Sequence, residues 1–151
     1  MGWLTEQHVQ ARRIGGFEQK LVAGPQWGAE LVRIKTPAEL AGFPVIANTA
    51  LRDPTNWTFS RGEQERQSVT MKASLLFNVT LAVREATLAG AGLSVLPHYV
   101  VESDLKAGRL VEVLPQWKLP HGDIHAVFPA ARFRPAKVRA FVDFLVPLLA
   151  A

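Results

Sequence analysis

The sequence predicts a mixed α/β fold, and three stretches carry that prediction. Val79–Ala89 has helical periodicity, with Leu81, Ala82, Val83, Ala86 and Leu88 on a broad apolar face. Gly90 and Gly92 break it, and the apolar run Leu93-Ser-Val-Leu96 follows, stopped by Pro97. Helix, glycine break and buried strand form an αβ unit of a parallel sheet. Thr36-Pro37-Ala38-Glu39 is a helix start, with a cap, a proline at the first helical position and a capping-box carboxylate. Gly42 and Pro44 keep that helix short, and Pro44–Asn48 is a short buried strand. Finally, Pro135 opens an amphipathic helix whose Val138, Phe141, Val142, Leu145 and Leu148 share one face.

The remaining elements follow from local chemistry. Val9–Ile14 reads as a strand ended by Gly15-Gly16, and Phe17–Ala23 as a second one with Leu21-Val-Ala23 buried. Gly24-Pro25 punctuates it, and Pro25 suits the first turn of a short helix over Gln26–Val32. Asn56–Ser60 and Gln67–Met71 flank the polar loop Arg61–Arg66 as a hairpin. Asn78 and Thr80 are both N-cap candidates for the helix they open. His98–Ala107 predicts a helix closed by Gly108, and Arg109–Leu114 a strand. Pro115–Pro120 is a connection, and Ile124–Phe128 a strand ended by Pro129. No internal repeat or low-complexity segment interrupts this order.

Composition bounds the function. A chain of 151 residues makes one domain, and 48% hydrophobic with 20% charged residues excludes wholesale disorder. No apolar run approaches the roughly 20 residues that cross a bilayer, so no membrane partner is expected. Met1–His8 lacks the basic and apolar regions of a signal peptide, and the chain has no cysteine. A cytoplasmic protein without disulfides or thiolate metal sites is therefore expected. The net charge of +4 and pI near 9.9 favour anionic partners weakly. The basic residues are scattered, and the tightest group (Arg132, Arg134, Lys137, Arg139) reads as a solvated face.

Catalytic motifs are thin. Gly90-Ala91-Gly92 follows a helix instead of a strand and lacks a third glycine, so helix termination explains it better than a dinucleotide loop. An extended His121–His125 segment would project His121, Asp123 and His125 to one face, a set able to hold a metal. Pro120 and Gly122 instead place His121 in a loop, and no further ligand is near in sequence, so no metal and no cofactor are expected. Ser94 sits in a buried strand without a nucleophile elbow and reads as a satisfied core hydroxyl. Asn56-Trp-Thr58 and Asn78-Val-Thr80 match glycosylation sequons, but a chain without a leader does not meet that machinery. Trp3, Trp27, Trp57 and Trp117 are too widely spaced to predict one aromatic pocket.

One feature has a physical rationale for binding. The first backbone N–H groups of the helix after Asn78 lack partners within the helix, and Thr80 adds a hydroxyl. Such an end attracts carboxylates and other anions. Asn48 and Thr49 close a predicted strand, and ligands of open α/β sheets gather at the carboxyl ends of strands. If the two ends converge they make a small polar pocket in an apolar setting. Ordinary capping and turn chemistry accounts for the same residues equally well.

The order of elements resembles the effector-binding domain of LysR-type transcriptional regulators. Ala11-Arg12-Arg13-Ile14-Gly15 and Leu21-Val-Ala-Gly-Pro25 are similar to the family's strand–hinge–strand entry, and Thr36–Pro44 to a recurrent segment after it. Trp57-Thr-Phe59 resembles its hairpin, and Arg84–Pro97 its helix–glycine–strand segment. Asp104–Leu110 and Arg134–Leu145 resemble its closing segments. The resemblance implies a type 2 periplasmic-binding-protein fold, in which two α/β lobes are joined by crossing strands and a small organic effector binds between them without catalysis. It implies one nearly complete lobe over residues 17–114 and a remnant of the other over 1–16 and 115–151. The winged helix-turn-helix has no counterpart here, so no direct DNA contact is expected. An incomplete lobe leaves apolar surface around Val138, Phe141 and Leu145, which predicts a homodimer. Mapped onto this chain, the family's effector-facing positions are Asn48, Thr49, Asn78, Val79, Thr80 and Pro97. The helix entry is more apolar than the family's usual polar run, and Phe77 precedes it, which argues against a purely anionic effector. The alternative is a free-standing small-molecule-binding protein derived from such a domain, or a dimerisation module acting on full-length relatives.

Overall fold

The computed structural model describes residues 9–129 and 135–149. Trp3 and, from the basic group, Arg132 and Arg134 lie outside the described residues. The strands are β1 (Val9–Phe17), β2 (Gln19–Ala23), β3 (Val45–Asn48), β4 (Asn56–Arg61), β5 (Glu65–Thr70), β6 (Ala73–Phe77), β7 (Ser94–Pro97), β8 (Val111–Glu112) and β9 (Gly122–Pro129). The α-helices are α1 (Gly28–Leu31), α2 (Thr80–Leu88), α3 (His98–Lys106) and α4 (Ala136–Leu149). The chain forms two compact units, one from Glu18–Pro120 and one from the segments that flank it.

The first unit is built on a mixed sheet. β6 pairs in parallel with β3, Asn48 standing opposite Phe77. β3 meets β7 in parallel through Val45 and Leu93. β7 then runs antiparallel to β2, and β2 antiparallel to β8. The spatial order is therefore β6-β3-β7-β2-β8, and α2 is the crossover between the parallel strands β6 and β7.

Alternation along the central strands sorts two cores. Leu21, Val45 and Val95 join one cluster with Trp57, Phe59, Met71, Trp117 and Leu119. Val22, Ile46 and Leu96 join the other with Val83 of α2 and Val101 of α3. Side chains two apart share a face, so the helices cover one face and the β4–β5 hairpin, with the 117–119 segment, covers the other. Both faces are buried, which is why β3 and β7 are mostly apolar and buried at every position.

Local signals explain the element ends. The predicted capping box forms: the Glu39 carboxylate accepts the Thr36 N–H at 2.8 Å and the Thr36 hydroxyl receives the Glu39 backbone. The turn it opens, Pro37–Gly42, is a 3₁₀ helix. α2 ends in a Schellman motif, with Ala91 N–H to Ala86 C=O at 3.0 Å and Gly90 N–H to Thr87 C=O at 3.0 Å. Gly90 has φ 82°, the left-handed conformation that the motif requires. At Gly92 (φ 150°) a Cβ would lie 2.3 Å from the Pro44 carbonyl oxygen, so only glycine lets β7 approach β3 there.

Five expectations are corrected. Gly15-Gly16 is no break: β1 runs on to Phe17, and a bulge between Arg13 and Gly15 absorbs the irregularity. The helix expected over Gln26–Val32 shrinks to a 3₁₀ turn at Pro25–Trp27 and one turn of α1, because nothing in it is buried to stabilise a longer one. The strand expected over Arg109–Leu114 is only Val111–Glu112, since Val113 and Leu114 turn into the core and Leu114 takes φ 53°. β6, where the sequence pattern assigned no element, is an edge strand with mostly exposed residues. The N-cap of α2 is Val79, not Asn78 or Thr80, because Asn48 engages the Thr80 hydroxyl.

The second unit is smaller. β1 and β9 form an antiparallel pair on which α4 packs. Arg12 bonds Asp143 of α4 at 2.8 Å. Of the predicted apolar face of α4, Val142 is buried and Val138 and Leu145 are half-buried. Phe141 (61%) and Leu148 (60%) are exposed, as is Phe144 (64%).

Candidate functional site

β6, β3 and β7 run in the same direction, so their carboxyl ends, at Phe77, Asn48 and Pro97, leave one edge of the sheet. α2 and α3 both begin at that edge, directly after β6 and β7. Neither has an acidic residue in its first turn or a side-chain cap. Two helix N-termini with uncapped N–H donors therefore open on one edge, a setting that favours a negatively polarised group.

Asn48 organises this edge. By strand alternation its side chain points to the helix face, where its Nδ2 donates to Thr80 Oγ1 at 3.1 Å. Its Oδ1 accepts the Ala50 N–H at 3.1 Å, and its backbone carbonyl accepts the Leu51 N–H at 3.0 Å. Thr49 turns back, its N–H and hydroxyl both reaching the Phe77 carbonyl, at 2.8 and 3.2 Å. The strand end and the helix entry thus converge. Asn48 is nearly fully buried (4% exposed), whereas Thr49, Asn78 and Val79 are exposed. Pro97 closes the neighbouring strand on the same edge, buried and in register with Gln19.

Sequence reasoning missed His98. It follows Pro97 directly, donates its backbone N–H to Glu18 C=O at 2.9 Å, and keeps its Nδ1 buried without a partner. Its position at the start of a helix after a buried strand was the available signal. Tyr99, beside it, is 55% exposed and meets the imidazole edge-on.

Away from the edge the two helices are clasped. Asp104 of α3 is fully buried and takes a bidentate pair of bonds from Arg84 of α2, at 2.6 and 2.8 Å. Arg109 adds bonds at 2.9 and 2.6 Å. The Arg84 hydrogen bonds hold the Asp104 carboxyl below its ordinary range, against burial and with help from Arg109. Beneath α2, Thr87 donates to Val83 C=O at 2.7 Å, so Ser94 must donate the 2.8 Å bond between the two hydroxyls. Ser94 is the satisfied core hydroxyl that its sequence position predicts.

Asp123 lies beside Arg13, whose guanidinium donates to its carboxylate at 2.5 Å and lowers its pKa. His121 precedes β9 in a loop. Among the described residues, no group of three or more His, Cys, Asp or Glu is placed to hold a metal. No helix among them is long and apolar enough to cross a membrane.

The chain matches known proteins over nearly its whole length. It is 42% identical over 145 residues to the HTH-type transcriptional regulator PtxR of Pseudomonas aeruginosa, covering 96% of this chain and 46% of that protein. The chain spans about half the length of the curated relatives it matches. The full-length Vibrio cholerae virulence activator AphB superposes with a TM-score of 0.78 at 25% identity, over 95% of this chain and 49% of that one. The regulatory domain of CrgA, a LysR-type regulator of Neisseria meningitidis, shares the fold, with a TM-score of 0.78 at 21% identity over 99% of this chain and 72% of that one. The family profile described as the LysR substrate binding domain matches residues 1–150. A mixed sheet with helix entries gathered at its carboxyl edge, and this match from end to end, have one conclusion: the chain belongs to the LysR substrate-binding domain family.

Proposed function

We propose that this chain is the ligand-sensing part of a LysR-type transcriptional regulator, and that it binds a small organic effector without catalysis at the carboxyl edge of its mixed sheet. The observation that carries the reading is the Asn48–Thr80 bond. It pins the uncapped entry of α2 to the end of β3 and leaves Thr49, Asn78 and Val79 open beside it. These residues, with Pro97 at the rim, suit an effector with a hydrogen-bond-accepting head and an apolar body. The apolar part falls to the exposed Val79 and half-buried Phe77. We read the first compact unit as the family's nearly complete lobe and the second as the remainder of the other. On this reading the protein works in the cytoplasm, and its relatives' role as transcriptional regulators supports a non-enzymatic part in the same process.

A thermal-shift screen of the chain against aromatic acids, aliphatic acids and amphipathic cations tests the reading. At a hundred times its dissociation constant a ligand stabilises by about 2.7 kcal/mol, a visible shift. The expected result is a saturable hit that Val79→Lys weakens at least tenfold. A cooperative melt with no hit, or a hit indifferent to Val79, overturns the assignment of this edge. The exposed Phe141, Phe144 and Leu148 on α4 favour self-association. Sedimentation should show a homodimer, and a monomer at all concentrations rules it out.

A further inference from the structure

The β4–β5 hairpin stands apart from the main sheet. Its six registered pairs run from Asn56–Thr70 to Arg61–Glu65. Among the described residues, its ladder contact outside itself is a single bridge, Ser60 to Lys118. That bridge is doubly bonded: Ser60 N–H to Lys118 C=O and Lys118 N–H to Ser60 C=O, both at 2.8 Å. Arg61 lies over the Trp117 ring, 4.8 Å from its centroid. Trp57, Phe59, Trp117 and Leu119 share one core cluster. Two residues beyond Lys118 the chain leaves the first unit at Pro120, whose carbonyl accepts the Gln19 side chain at 2.9 Å.

The other end of the hairpin is tied to Asn48. Residues 49–55 join β3 to β4, and Asn48 accepts bonds from Ala50 and Leu51 at the start of that loop. At the end of the loop the Pro54 carbonyl accepts the Trp57 indole N–H at 3.2 Å, and the Thr55 carbonyl accepts the Met71 N–H at 2.8 Å. The loop is short and bonded at both ends, so a shift of Asn48 reaches the base of the hairpin. The far corner of the paired ribbon is bonded in turn to Lys118.

We propose that the β4–β5 hairpin is a relay, which carries the state of the Asn48–Thr80 contact to residues 117–120, where the chain exits the first unit. The proposal rests on reading the carboxyl edge as the ligand site, but its test uses no ligand, so a failed ligand screen and a failed relay are separate results.

Amide hydrogen exchange, read by NMR on the full chain, tests the relay. Thr80→Val removes the acceptor of the Asn48 amide, and Thr80→Ser keeps it. Exchange at Lys118 is compared with that at Val113, whose N–H is bonded to Leu21 on the far side of the sheet. Thr80→Val should raise the Lys118:Val113 ratio at least fivefold, and Thr80→Ser should leave it as in the parent chain. Because both Ser60 bonds to Lys118 point out of the hairpin, Ser60→Pro removes the one donated by the Ser60 N–H, leaving only the carbonyl's, and spares the hairpin ladder. In that background Thr80→Val should change the Lys118:Val113 ratio less than twofold. An unchanged ratio in Thr80→Val overturns the relay, as does an equal change in Thr80→Ser. An undiminished change in the Ser60→Pro background means that another route carries it and also overturns the relay. The Thr80 pair decides the matter by itself if Ser60→Pro does not fold.

Discussion

Strands β3 and β9 both carry Val, Ile and Ala and meet opposite fates. All four residues of β3 are buried, whereas β9 alternates half-buried and exposed along its whole length. β3 lies inside a sheet covered on both faces, and β9 is one of a pair packed on a single helix. The same contrast separates the helices: α2 buries Val83 and Thr87 completely, while α4 buries only Val142 among three large exposed apolar side chains. What decides burial is the number of layers that surround an element, and its own apolar content decides less.

Six substitutions break or sharpen this contrast. Phe59 is fully buried on the hairpin face, and Phe144 is 64% exposed on α4. Phe59→Ala should cost about 3–5 kcal/mol in urea unfolding. Phe144→Ala should stay within about 0.5 kcal/mol. Equal costs would show that α4 is covered in solution. Next, Asp104→Asn should cost about 2–3 kcal/mol, below a fully buried pair because Arg109 is half exposed. The folded-state pKa of Asp104 is depressed, so its contribution is complete above the unfolded value near pH 4. It is lost as pH falls through the lower folded value, and Asp104→Asn should flatten that acid limb of the stability–pH curve. Asp123→Asn, at an exposed pair in the second unit, should leave the limb steep. Ser94→Ala should cost about 1 kcal/mol, since Thr87 keeps its Val83 acceptor. Arg61→Met removes an exposed cation–π contact and the exposed ion pair to Glu65, at about 0.5–1 kcal/mol in all.

Much of this was legible in the chain because strong local chemistry wrote it there. Thr36-Pro37-Ala38-Glu39 specifies its own capping box, and Gly90 its own helix stop. β3 and β7 announce themselves as short, mostly apolar runs, and the convergence of Asn48 with Thr80 follows from strand ends and helix starts meeting at one edge. What escaped depends on partners distant in sequence. β6 is a strand because β3 offers it a parallel ladder, and its own residues say little. Val79 is an N-cap because Asn48, thirty-two positions from Thr80, holds that hydroxyl. His98 carries no motif at all, and its orphaned ring nitrogen exists only once α3 has docked. Periodicity put Phe141 on the apolar face of α4 and left Phe144 off it, yet both are exposed, because periodicity reports which residues share a face and is silent on whether anything lies opposite.

The approach of β7 to β3 at Gly92 has a mechanical consequence. The β6–β3 ribbon is held to the β7–β2–β8 ribbon by two backbone bonds, Ile46 N–H to Leu93 C=O at 2.8 Å and Leu93 N–H to Pro44 C=O at 2.9 Å. The sheet therefore carries a perforation line, closed by two stitches beside a residue without a side chain. A methyl group at position 92 acts as a wedge driven into that line. On one side it leaves β6 and β3 as a ribbon of two strands, too narrow to stand by itself.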